Sequence, residues 1–167
     1  MGERLLPKSL IEVYAHALVL ERDAMQRFAE IERFLRDAGI DYLADEIDAI
    51  GREEAEQYEA LAQGTTGRDL PPIAAWEYSW HFLGPQFDRA APPTSPREAL
   101  ALALATERRT QAFYIDVAEH ASDDAVCAFA IEMATDEQRH IQRLELLLSR
   151  EPQPAGADDG DELSLVK

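Results

Sequence analysis

Cysteine is almost missing from this chain: Cys127 is the one thiol in 167 residues. That excludes an intramolecular disulfide, a Cys-x-x-Cys redox pair and any zinc or rubredoxin-like knuckle built from paired cysteines. Long apolar runs are missing too, since none approaches the ~18–20 residues that cross a bilayer. Basic residues are scarce: 16 Lys and Arg stand against 33 Asp and Glu, for a formal net charge of −17 and a pI near 4.5. A phosphate backbone or an anionic membrane surface repels such a chain, so neither nucleic acid nor a membrane is an expected partner. The stretch from Met1 to Lys8 has no apolar core of the kind a secretory signal carries, and the expected location is cytoplasmic. Alternation with period two is absent as well, which leaves an all-β or α/β reading without support.

What the chain does have is a helical period and enough apolar material, 46% of residues, for one domain's core. Leu10, Val13, Tyr14, Ala17, Leu18, Ala24, Phe28, Ile31 and Leu35 recur at three- and four-residue steps, which predicts a first helix over residues 9–38. Ser9 with Glu12 forms a capping box at its start, and Gly39 stands at its C-terminal cap. Leu43, Ile47, Ile50, Glu54, Tyr58 and Leu61 carry a second helix to about residue 62, with Gly51 inside it at a cost of ~1 kcal/mol relative to Ala. Residues 63–96 are rich in Gly and Pro and read as a long crossover, with a short aromatic helix at its centre. Ser95, Pro96 and Glu98 then start a third helix that runs to about Ala121, and Asp123 opens a fourth. The expected fold is all-α: an antiparallel four-helix bundle over residues 1–150, followed by a disordered acidic tail at 151–167. The crossover aromatics Trp76, Tyr78, Trp80, Phe82 and Phe87 exceed what one bundle flank covers, so a homodimer or larger homo-oligomer is expected.

The two halves repeat each other. Glu21-Arg22 on the first helix has Phe28 seven residues after the glutamate, and Glu107-Arg108 on the third has Tyr114 at the same distance. The second and fourth helices align without a gap, Glu53 with Asp136, Glu54 with Glu137, Gln57 with His140 and Leu61 with Leu144. Residues three apart on a helix share a side, so Glu137 and His140 converge, as do Glu54 and Gln57. Each of these glutamates interrupts a stripe that is otherwise apolar. An isolated ionised carboxylate there costs several kcal/mol or more, so it must be neutralised, paired or bound to a cation. Four carboxylates and an imidazole supply about the charge and donor set that two iron or manganese ions require.

Glu21, Glu54, Glu107 and Glu137-x-x-His140 resemble the di-iron carboxylate site of the rubrerythrin group within the ferritin-like superfamily. The resemblance covers residues 9–150 and leaves out the tail. It implies a di-iron, or di-manganese, protein that acts on ferrous iron or on a small oxidant such as peroxide or O₂, in iron handling or oxidative stress. It also implies that Glu54 and Glu137 bridge the metals, that Glu21 and Glu107 are terminal, and that His140 completes one metal. The chain departs from the family at Gln57, where the family has histidine. Three readings stay open there: an asymmetric site, one loosely held metal, or Glu53 or Glu56 as a substitute ligand. Without a cysteine-bound rubredoxin domain, the chain carries no electron relay of its own.

The same residues admit other roles. The buried-stripe glutamates could instead pair with Arg22, Arg52, Arg108 and Arg139 at the bundle edge. Gln57, Glu53 and Tyr114 are candidates for a weak ligand or a second layer of hydrogen bonds around the metal. His16 is expected at the surface or behind the ligands, His81 and His120 as structural residues, and Cys127 as a small buried hydrophobe. In place of an enzyme, the bundle is alternatively a non-catalytic iron-binding or storage module, a cargo docked in a shell through the ending Asp161–Lys167, or a metal-free degenerate bundle.

Overall fold

The computed structural model describes residues 6–73 and 92–152, and these form four helices: α1 (Leu10–Asp37), α2 (Asp41–Gly64), α3 (Pro96–His120) and α4 (Asp124–Arg150). The crossover aromatics from Trp76 to Phe87, His81 and most of the acidic tail lie outside the described residues. Each helix begins and ends where local chemistry directs it. Ser9 accepts the Glu12 amide at 3.4 Å, and the Glu12 carboxylate reaches back to the Lys8 amide at 2.7 Å. At the far end Gly39 adopts φ +74° while the Ile40 amide bonds Leu35 O at 2.9 Å, a turn whose left-handed residue favours glycine. Ser95 caps α3 through the Glu98 amide at 3.1 Å, and Asp123 caps α4 through the Ala125 amide at 2.8 Å. The Arg97 guanidinium, early in α3, closes the other end of α4 by donating to Leu148 O and Glu151 O, each at 3.0 Å.

α1 packs on α2 and α3 on α4, two hairpins joined by the link at 65–95, with α1 also lying against α3. The core is divided in two. One half gathers Phe28, Ile31 and Leu35 of α1, Leu43 and Ile47 of α2, Leu100 of α3 and Leu144 of α4. The other gathers Val13, Ala17 and Leu20 of α1 with Tyr114 and Val117 of α3 and Val126 and Met133 of α4. The end of α1 therefore lies with the starts of α2 and α3, so adjacent helices run antiparallel, and α2 ends at the opposite end of the bundle from where α3 begins. Each fully buried Leu, Ile or Phe side chain in these halves contributes about 1.5–3 kcal/mol. Between them, at mid-height, comes a layer that is not apolar.

Gly51 has a packing reason. A Cβ there would stand 3.2 Å from Phe28 Cβ, so its absence is what lets α2 approach α1 at that level.

Candidate metal centre

Every helix contributes one carboxylate to the middle layer. Glu21 follows Leu20 on α1, Glu54 lies one turn after Ile50 on α2, Glu107 one turn after Leu104 on α3, and Glu137 one turn after Met133 on α4. The apolar side chains before and after each glutamate are what drive that face of the helix inward. All four glutamates are 0% exposed, and His140, one turn beyond Glu137, is 2% exposed. Donor atoms of Glu54, Glu107, Glu137 and His140 all lie within 4.8 Å of one another. His140 Nδ1 is 2.7 Å from Glu54 Oε1 and 3.1 Å from Glu107 Oε2. Glu21 joins the group through Glu54, which it meets side chain to side chain, and is held from behind by the Tyr114 hydroxyl, which donates to Glu21 Oε1 at 2.7 Å.

The arginine-pairing alternative does not describe this layer. Arg22 pairs with Asp23, Arg52 with Asp48, Arg108 with Glu145 and Arg139 with Asp136, all toward the bundle's outside. No N–H or hydroxyl group among the described residues satisfies Glu21 Oε2, Glu54 Oε2, Glu107 Oε1 or either oxygen of Glu137. Burial raises the pKa of Glu21, Glu107 and Glu137, with neighbouring carboxylates adding to it. Burial alone would lower that of His140, but its contacts with Glu107 and Glu54 outweigh this and bring it to about 10. Without a cation the layer therefore holds its charge down by keeping protons, and a cation that displaces them finds unpartnered oxygens and an imidazole nitrogen already gathered. This buried cluster can hold a metal ion.

The sequence candidates around the cluster separate clearly. Glu53 does not enter it: its carboxylate accepts from His140 Nε2 at 3.1 Å and from Arg143 at 2.6 Å. Burial pushes the Glu53 pKa up, but the bonds to Arg143 and His140 prevail and hold it below the usual carboxylate range. An ionised partner on Nε2 fixes the ring and leaves Nδ1 directed at the carboxylates, which is the usual support for a metal-binding histidine. Gln57 donates from Nε2 to Asp136 Oδ2 at 3.3 Å, and its Oε1 is buried with no donor reaching it. Tyr114 is fully buried in the core, and its hydroxyl reaches Glu21. His16 is buried rather than at the surface, its ring stacked on Phe113 at 5.6 Å and its Nδ1 bonded to Glu12 O. The preceding turn of α1 and the α3 aromatic enclose it, a contact that periodicity within one helix does not reveal. His120 is exposed and bonds Asp116. Cys127 is half-buried, with Sγ 3.6 Å from Ala118 O.

Two participants were not singled out from the sequence: Arg143, which holds Glu53, and Asp136, which holds Gln57. The signal for Asp136 lay in the repeat, where it is the counterpart of Glu53. A further acidic and histidine group, Asp116, Glu119 and His120, lies on the outer face of α3 and is partly to fully exposed.

No protein-family model and no curated protein matches the chain. Among solved structures, it is similar to a crystal structure of an uncharacterized conserved protein from Magnetospirillum magnetotacticum MS-1. The two are 24% identical with a TM-score of 0.77, over 88% of this chain and 98% of that one. At that identity the likeness speaks for the fold, and it accords with a four-helix bundle.

Proposed function

We propose that the chain is a dinuclear iron carboxylate protein related to rubrerythrins within the ferritin-like superfamily, with manganese as the alternative metal. It would act on ferrous iron or on a small oxidant, peroxide or O₂. The observation that carries this reading is the set of four fully buried glutamates, one per helix, each with at least one oxygen that no N–H or hydroxyl donor reaches, gathered beside a single oriented histidine. Carboxylates in a dry layer are costly unless a cation answers them, and hard oxygens with one imidazole suit iron and manganese. Two reduced ions held there would supply the two electrons that cleavage of an O–O bond consumes.

The chain's own residues do the rest. Glu54 and Glu137, from opposite hairpins, would hold metal from the centre of the layer. Glu21 and Glu107 each serve one side, and Tyr114 keeps Glu21 in place through its hydroxyl. Glu53 holds the His140 ring by Nε2, so that loss of the Nδ1 proton turns a donor into a ligand. The apolar halves above and below exclude bulk water from the layer.

The test is anaerobic loading of metal-free protein with Fe(II), followed by one equivalent of hydrogen peroxide. Oxidation of two Fe(II) per chain, faster than in buffer and lost in Glu137→Ala, is the expected outcome. Iron that is retained but reacts no faster than in buffer would favour the storage alternative. Assembly as a homodimer or larger belongs to the same proposal, and light scattering that gives a ~19 kDa particle would contradict it.

A further inference from the structure

His140 and Gln57 are repeat partners, and so are Glu53 and Asp136. The structure carries that relation into contacts. On one side His140 of α4 meets Glu53 of α2 through Nε2; on the other Gln57 of α2 meets Asp136 of α4 through Nε2. Each of the two accepting carboxylates also takes an arginine, Arg143 on Glu53 and Arg139 on Asp136. An ionised carboxylate can only accept, so it dictates which end of the Gln57 amide faces it: the NH₂ turns to Asp136 and Oε1 turns away. In His140 the atom on that opposite side is Nδ1, which faces the buried carboxylates. Gln57 Oε1 is likewise buried and has no donor.

The four residues that converge around His140 are Glu54, Glu107, Glu137 and His140 itself. Their repeat counterparts are Glu137, Glu21, Glu54 and Gln57. We propose that Gln57 is a metal ligand through its amide oxygen, held in that role by Asp136, and that it completes a second position made entirely of oxygen donors. The inference rests on the metal-centre reading above and deepens it. An amide oxygen is neutral and a weaker donor than imidazole, so this position binds divalent iron or manganese less tightly than the His140 position. Gln57 and Asp136 also line a groove of about 260 Å³, together with Tyr14, Leu61, Phe129 and Met133.

Anaerobic titration of metal-free protein with Mn(II), followed by calorimetry and by electron paramagnetic resonance of the unbound ion, tests this without reference to turnover. Wild type is expected to bind two Mn(II) per chain with unequal affinities. Gln57→Leu, close in size but without a donor, should leave the tighter site unchanged and weaken the other at least tenfold. Gln57→His should tighten that site by tenfold or more. Asp136→Ala should weaken it ~10–100-fold, with Asp136→Glu retaining it, as expected for a positioning residue. Two sites whose affinities are the same in Gln57→Leu and Gln57→His as in wild type would overturn the inference while leaving the metal centre standing. A single tight site, unmoved by either substitution, would do the same. Absence of any bound Mn(II) would overturn both. Should the Leu variant fail to fold, the His and Asp136 variants decide the matter.

Discussion

A protonated Glu137 is the state that a metal-free bundle favours: burial raises its pKa well above the usual value, and Glu107, Glu54 and Glu21 push the same way. Glu21 and Glu107 are raised too, through burial and Glu54. A raised folded pKa means that the folded chain holds protons the unfolded chain has released. The stability this provides is complete below the unfolded carboxyl value of ~4.3 and is lost as pH rises through the folded values. His140 follows the same sign, its contribution complete below ~6.5 and lost as pH rises through about 10. Glu53 and Glu98 have lowered values, so their contribution is already complete above ~4.5. The metal-free protein should therefore lose stability as pH rises from roughly 5, with the His140 contribution lost only as pH passes about 10. Bound metal displaces those protons, so the stabilisation it brings should grow over the same range. Urea unfolding at a series of pH values, with and without Mn(II), measures both; a metal-free stability that rises with pH would contradict the burial account.

At the scale of the helix, Gly51 pits propensity against packing. Ala at that position favours the helix by ~1 kcal/mol. Its Cβ, however, would stand 3.2 Å from Phe28 Cβ, an atom fixed to the α1 backbone that cannot swing aside. Overpacking of this kind costs about 1–3 kcal/mol. Gly51→Ala is expected to destabilise the protein by about 1 kcal/mol, and a higher urea midpoint would show that the helices are not held this close. The same residue marks how far a sequence can be read. The helices themselves were legible to within two residues, because their apolar period is long and Ser9, Gly39, Ser95 and Asp123 punctuate it. The four glutamates and His140 were legible because they interrupt that period twice in the same way. The approach of α1 to α2 at Gly51, the stacking of His16 on Phe113 and the hold of Arg143 on Glu53 were not. Each joins two helices whose relative rotation only tertiary packing sets. Asp136 falls between these cases: its place in the repeat was readable, but that a carboxylate there would orient Gln57 emerged only with the helices side by side.

For the whole molecule, the division of the core into two apolar halves with a carboxylate layer between them is the feature that needs explaining. A bundle selected for stability alone gains more from apolar residues at those four positions, since buried unpaired carboxylates are among the costliest groups to fold. A net charge of −17 adds a field that draws cations toward the surface and the groove at Gln57. Both observations make sense together if the bundle is built around metal. The most direct measurement is anomalous diffraction from crystals loaded with Fe(II) or Mn(II). Two peaks in the middle layer are predicted, within roughly 2–2.5 Å of the Glu54 and Glu137 oxygens, one near His140 Nδ1 and one near Glu21. A layer without anomalous density, with metal only on the exposed Asp116, Glu119 and His120 group, would contradict the account.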